Sequence, residues 1–326
     1  MNKRISLLLR TSYGLLAGCL LAGVPLFLTG CGDSQSGPGF PDTTTPGTID
    51  TSSVGSRDNT PVCLVPSADA TAESHNELAS IDFSHMDEGY IMVRYTGDCP
   101  KVKLQITGED DVTYTYNLVS EDYEAFPLSS GNGSYTIWVL ENISGTSYLT
   151  CLTETIDVSI TNEFGPFLYP NQYCNFTAES ETVAKGAELA KSADTDLEVV
   201  ANVYNYIIGN ITYDYEKAET VPSGYTSDVD TILNSGTGIC LDYAAVMTSM
   251  LRSQRIPTRL EVGYVGEAYH AWISTYITDI GWVNGIVEFD GTSWKLMDPT
   301  FAANNSEKEL KKFIGDGSNY LVKYMY

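Results

Sequence analysis

Gly236-Thr237-Gly238-Ile239-Cys240-Leu241-Asp242-Tyr243-Ala244-Ala245 decides how the second half of this chain is read. Glycines punctuate its start, a cysteine follows, and an apolar periodic run continues to about Arg252. Leu241, Ala244, Ala245, Thr248 and Leu251 recur at spacings of three and four, as on one face of a helix. The stretch therefore reads as a loop that opens a helix with Cys240 in its first turn. A thiol in that position faces unpaired backbone N–H groups and the positive end of the helix dipole, a setting that favours a thiolate. An inert buried cysteine would fit the same pattern, so a nucleophile needs partners elsewhere in the chain.

Downstream, Pro257 blocks the helix, and Thr258 to Val265, Tyr269 to Ile277, Val283 to Phe289 and Lys295 to Met297 alternate like antiparallel strands. His270 lies inside the second of these, where a rigid strand could hold an imidazole within reach of a helix-terminal thiol. Asp298 ends the last strand, where a carboxylate could fix the tautomer of His270 and stabilise its imidazolium. Upstream, Glu179 to Ala193 and Asp194 to Gly209 carry helical stripes, with Ser180 and Asp194-Thr195-Asp196 as caps. A loop and a short helix near Asp228 to Leu233 follow. Helices succeeded by strands suggest an α+β domain with helices packed on an antiparallel sheet.

Four blocks then fall into one order. They are Gly238-Ile239-Cys240 with Asp242-Tyr243-Ala244, Arg255 to Tyr264, His270-Ala271-Trp272, and Trp294 with Asp298-Pro299-Thr300. Together they resemble the transglutaminase-like core, a family of papain-like catalytic design, over roughly residues 175 to 302. Asn210 to Tyr215 resembles the family's block just upstream of the core. The resemblance implies Cys240 as nucleophile, His270 as general base and acid, and Asp298 as orienting carboxylate. Leu241 departs from the family, where a polar residue is common after the cysteine, and the path from His270 to Asp298 is lengthened by 278–281 and 290–292. Pro257 and Gly263 read as helix-stop and turn or bulge positions, Trp272 and Trp294 as core. Tyr213 and Tyr215 could reach the cleft, and one of them could donate to an oxyanion.

Residues 61–170 carry a different pattern. Tyr90 to Tyr95, Val102 to Thr107, Thr113 to Leu118, Tyr135 to Leu140 and Thr155 to Ile160 are short β-branched or aromatic runs separated by turn clusters. A β-sandwich-like domain ahead of a 171–326 transglutaminase-like domain fits, and its role is binding, positioning or spacing. His75 and His85 lack metal-ligand spacing and read as surface or packing residues.

The first thirty residues form a leader, with Lys3, Arg4 and Arg10 before an apolar stretch from Leu15 to Leu28. Leu28-Thr29-Gly30-Cys31 resembles the lipobox of bacterial lipoproteins, which implies cleavage before Cys31, its acylation, and a membrane anchor facing the extracellular side. An uncleaved signal anchor is the alternative, weakened by Pro25. Residues 31–60, rich in Gly, Ser, Thr, Pro and Asp, read as a flexible linker. In an oxidising compartment Cys63, Cys99, Cys151 and Cys174 could form two disulfides and leave Cys240 free, or all could stay reduced. A Cys174–Cys240 disulfide would instead remove the nucleophile.

The chain of 326 residues holds 42 Asp and Glu against 18 Lys and Arg, a formal charge of −24. That balance argues against nucleic acid as a partner, since its phosphates need basic patches. No EF-hand loop is present, and no residue pattern calls for a metal or a cofactor. The expected activity is acyl transfer at an amide or peptide bond of a protein or peptide substrate, cell-wall-associated protein included. A non-catalytic surface binding or scaffolding module on the same core is the competing reading.

Overall fold

Eight strands build the first half of the structure, a computed structural model that describes residues 53–118, 121–278, 280–284, 286–289, 294–297 and 320–326. They are β1 (Glu73–His75), β2 (Ala79–Asp82), β3 (Tyr90–Tyr95), β4 (Val102–Thr107), β5 (Thr113–Leu118), β6 (Glu124–Pro127), β7 (Gly133–Ser144) and β8 (Ser147–Val158). Two four-stranded antiparallel sheets result, in the orders β1-β2-β3-β6 and β5-β4-β7-β8. Their inner faces meet through Ile81, Ile91 and Val93 on one side and Leu104, Ile106 and Ile137 on the other, all essentially unexposed. Burying each such side chain contributes about 1.5–3 kcal/mol. In β4, buried Val102, Leu104 and Ile106 alternate with Lys103, Gln105 and Thr107, so one face of the strand is left for another purpose. The sequence locates five of these strands; β1, β2 and β6 are three or four residues long and too short to show an alternation.

The second half opens with helices α1 (Glu181–Ala190) and α2 (Asp196–Asn210). Thr195 caps α2 by accepting from the Glu198 N–H at 3.2 Å. Ser180 makes no such bond for α1, whose first N–H groups go instead to the carboxylate of Asp230, from Glu181 at 3.1 Å and Thr182 at 2.8 Å. After β9 (Thr212–Tyr213) come α3 (Tyr215–Thr220), α4 (Val229–Ser235), β10 (Thr237–Gly238) and α5 (Cys240–Ser253). Strands β11 (Thr258–Val265), β12 (Ala268–Ile277), β13 (Gly281–Asn284) and β16 (Tyr320–Met325) make an antiparallel sheet in the order β13-β12-β11-β16. A separate hairpin pairs β14 (Ile286–Phe289) with β15 (Trp294–Met297). Helices on an antiparallel sheet are the α+β layout expected, behind a sheet-rich first half.

Details of the joints differ from expectation. Helix α5 ends before Pro257 can stop it, through Gln254 and then Arg255 at a left-handed φ of 63°. Gly263 does mark a bulge, between β11 and β16, where a Cβ would lie 2.0 Å from the Leu321 carbonyl oxygen. Val283 to Phe289, read as one strand, is divided between β13 and β14, which lie in different sheets. Residues 53–60, the described part of the expected linker, bury little that is apolar, and the contacts of 53–62 are polar. Polar contacts hold them on the helical layer: Val62 N–H donates to Ser253 O at 2.8 Å, Arg57 Nε to Asp196 Oδ1 at 2.6 Å, and Asn59 Nδ2 to Ala193 O at 2.9 Å.

Arg252, the penultimate residue of α5, is 1% exposed. Its guanidinium donates to the carbonyls of Thr258 (2.7 and 3.0 Å), Tyr169 (2.5 Å) and Tyr326 (2.7 Å), and touches the Cys174 sulfur at 3.2 Å. Burial pushes the Cys174 thiol up in pKa against the pull of Arg252, and lowers that of Arg252 itself. One side chain thus ties α5 to β11, to β16 and to the segment leading out of the β region. Arg252→Ala should cost at least about 3 kcal/mol, because three buried carbonyls lose their donor. Urea denaturation checks this; a loss below about 1 kcal/mol would show that the hub is dispensable.

Candidate active site

The helix that carries Cys240, α5, is positioned from its first turn. Gly236 ends α4 in the left-handed region at φ 63°, and Thr237–Gly238 then pairs in parallel with Thr212–Tyr213. Thr212 N–H donates to Gly236 O at 2.8 Å and Asp214 N–H to Gly238 O at 2.9 Å. These bonds explain the Asn210 to Tyr215 block: it is the rail along which the loop before Cys240 is laid. Ile239 is extended at the N-cap, and α5 begins at Cys240.

Asp242, in the same turn, is fully buried. Its Oδ2 accepts the Ile239 N–H at 2.8 Å and Lys217 Nζ at 2.6 Å, while Oδ1 accepts Tyr225 OH at 2.8 Å and Ser227 OH at 2.6 Å. Lys217 also donates to Tyr225 OH at 2.7 Å and lies 4.5 Å from the centre of its ring. Desolvation pulls the Lys217 pKa down, but the bonds to Asp242 and Tyr225 outweigh it and the net direction is up. Burial, with Asp242, raises Tyr225 despite the opposing pull of Lys217. A Cβ on Gly238 would sit 2.7 Å from Asp242 Cβ, so glycine there is required by the carboxylate's position. Sequence reading missed α3 and its lysine. The available signal was Asp214, an N-cap that accepts from the Lys217 N–H at 2.9 Å and starts the helix carrying Lys217.

His270 is in β12, register-paired with Gly263 of β11 and 8% exposed. Its ring stacks with that of Trp272, centroids 6.5 Å apart. Trp272 itself is 2% exposed, as core should be. Cys240, half-buried, and His270 line the same cleft, of about 1170 Å³. The structure thus brings two of the three expected catalytic residues to one cavity. Asp298 and Cys31 lie outside the described residues. Tyr213 lines the cleft, whereas Tyr215 is 66% exposed and packs edge-on against Tyr213.

Cys63, Cys99, Cys151, Cys174 and Cys240 are all free thiols, so neither the two-disulfide arrangement nor a Cys174–Cys240 link is formed. Among the described residues, no three of His, Cys, Asp and Glu are grouped to hold a metal. His85 stacks on Tyr90 and meets Asp69 Oδ2 at 2.9 Å and Glu88 Oε1 at 3.2 Å, a packing histidine in ion pairs. The β region contributes to the site: Lys101, Lys103 and Gln105 of the β4 side and Thr115, Asn117 and Leu118 of β5 form a wall of the cleft.

A cysteine at the head of a helix and a histidine on the adjoining antiparallel sheet, open to one cleft, make a papain-like layout. The sequence model of the Transglutaminase-like superfamily matches residues 183–285. The match includes Cys240 and His270 and ends short of Asp298. No curated protein gives a match. Among solved structures, the chain is similar to a candidate cysteine protease from Cytophaga hutchinsonii at 18% identity and TM-score 0.33, over 71% of this chain and 69% of that one. A candidate protease from Parabacteroides distasonis gives 17% and 0.27, over 54% of this chain and 36% of the other. Red sea bream transglutaminase gives 13% and 0.26, over 65% and 48%. At those TM-scores the likeness carries no argument.

Removing the charge at Asp242 or its ion partner should destabilise the protein by about 2–4 kcal/mol each, as Asp242→Asn and Lys217→Met. A double-mutant cycle by urea denaturation should return a coupling of about 1 kcal/mol or more. Additive losses would mean that the pair acts only as separate hydrogen-bonding groups.

Proposed function

We propose that this protein is a cell-surface acyl-transfer enzyme that works through a cysteine thioester. The observation that carries the reading is the shared cleft of Cys240 and His270. The Cys240 thiolate attacks a carboxamide or peptide carbonyl carbon, and the C–N bond breaks as His270 delivers a proton to the leaving amine. The thioester is then resolved by water, with His270 taking its proton, or by a second amine. Water gives a protease or deamidase outcome, and an amine gives a cross-link. Asp298 is the proposed orienting carboxylate for His270.

The test follows both outcomes with the full chain under reducing conditions. Peptide amides are supplied with and without a labelled primary amine, and release of the leaving amine and incorporation of the label are measured. Cys240→Ala should lose all turnover. His270→Ala should lower it by roughly a thousandfold or more while leaving the fold intact by circular dichroism. Absence of turnover in the wild type together with no alkylation of Cys240 by iodoacetamide would sink the catalytic reading in favour of a binding module.

The anchor is proposed on the lipobox at Cys31, which would hold the enzyme on the outer membrane face through lipid. Among the described residues no helix is long and apolar enough to cross a membrane. Metabolic labelling with an alkynyl fatty acid should mark the wild-type chain and not Cys31→Ala. Undiminished label on that variant would remove the anchor.

A further inference from the structure

The cleft differs in charge from the chain that encloses it. Among its described lining residues there is no Asp or Glu, although the whole sequence carries a formal charge of −24. Two lysines, Lys101 and Lys103, stand on its β-region wall. Asp242, the buried carboxylate two residues past Cys240, is saturated by four donors, one of them the cation Lys217. Its charge is therefore cancelled locally and does not oppose the lysines.

Neither lysine is tied to a carboxylate among the described residues. Lys101 is exposed and its Nζ reaches only the Gly145 carbonyl, at 3.3 Å, and the face of Tyr148, at 5.6 Å. Lys103 lies over the same ring at 5.3 Å. A ring face orients an ammonium without neutralising it, so both charges remain available. The register puts Lys103 opposite Asn117 and Gln105 opposite Thr115, on the outer face that the alternation of β4 leaves unburied. This face is a ladder of cations, amides and a hydroxyl. The same cleft is also lined by tyrosines, among them Tyr213, Tyr269 and Tyr324. An extended peptide fits such a slot with carboxylate side chains toward β4 and its backbone passing Cys240.

We infer that the β4–β5 face is the substrate-reading wall of the cleft and that it selects acidic peptides, with Asp or Glu flanking the reacting amide. Calling the ligand a substrate rests on the acyl-transfer reading above; the charge selection does not. It also gives the β region its role, which is specificity rather than spacing.

The test separates the two. Full-chain Cys240→Ala is titrated with fluorescent peptides of one length and one central glutamine, flanked by Asp, by Asn or by Lys, and binding is read by anisotropy at low and high salt. The Asp-flanked peptide should bind roughly tenfold more tightly than the Asn-flanked one at low ionic strength and lose most of that margin in 0.5 M NaCl. Lys101→Glu/Lys103→Glu should invert the order in favour of the Lys-flanked peptide, and Lys101→Ala/Lys103→Ala should level it. Lys101 is exposed and Lys103 half-buried on the unburied face of β4, and circular dichroism of each variant checks that the fold is kept. Equal binding of the three peptides, or an acidic preference that survives charge reversal, overturns the inference. Competition by oligogalacturonate at or below the concentration of the Asp-flanked peptide would overturn the peptide assignment in favour of an anionic glycan. Acidic preference without wild-type turnover would leave the wall standing and remove the acyl-transfer reading; turnover without preference would do the reverse.

Discussion

A single buried carboxylate fixes the first turn of the helix that carries Cys240. Asp242 has no exposure, and an unpaired charge in that position would cost several kcal/mol. It is kept by four donors drawn from three places: the N-cap backbone of α5, the lysine of α3, and Tyr225 and Ser227 of the loop before α4. Each partner therefore has its own position dictated by the same group. Gly238 must lack a side chain to let the carboxylate in, and Asp214 must start α3 where Lys217 can reach. Cys240 stands at the head of a helix whose first turn is bolted in this way, while the loop residues Gly224 and Tyr225 help to enclose the cleft.

Much of this was legible in the sequence, and the failures have physical causes. The reading of Thr258 to Val265 as a strand agrees with β11 residue for residue, because a long alternation between two turns leaves little freedom. Helix α5 was equally plain from its spacing of three and four. The six residues of α3 span less than two turns, too few for periodicity, and only a cap announced them. Strand β16 was missed because Tyr-Leu-Val-Lys-Tyr-Met gains its strand character from β11, nearly sixty residues earlier in the chain. Cys240 and His270 could be named from local pattern plus resemblance. Lys101 and Lys103 could not, since their place on the cleft depends on how the two halves of the chain meet.

The tyrosines make the same point. Their abundance made each one uninformative in the sequence, yet Tyr114 and Tyr116 of β5, Tyr173, and Tyr324 and Tyr326 beside β16 form one cluster. Tyr173 and Tyr326 stack with centroids 4.0 Å apart, and Tyr114 meets Tyr324 and Tyr326 edge-on at 5.6 Å. Such pairs add about 0.5–1.5 kcal/mol each beyond their burial. Burial raises the Tyr114 pKa to about 12. The cluster joins the β wall to the sheet that carries His270, so the width of the cleft is set by aromatic packing.

The position of β16 has a consequence for how the chain comes into being. Arg252, which donates to the Tyr326 carbonyl just past β16, and its ladder partner β11 are made long before it, so the central sheet and the bonds of the buried guanidinium stay incomplete until residues 320–326 have been made. Contacts this distant in sequence slow folding, because the intervening loop must close before they give any return. For a protein proposed to cross a membrane, an unfinished central sheet and an unsatisfied guanidinium would keep the polypeptide threadable, and the sheet behind the cleft would be completed only once β16 had joined β11.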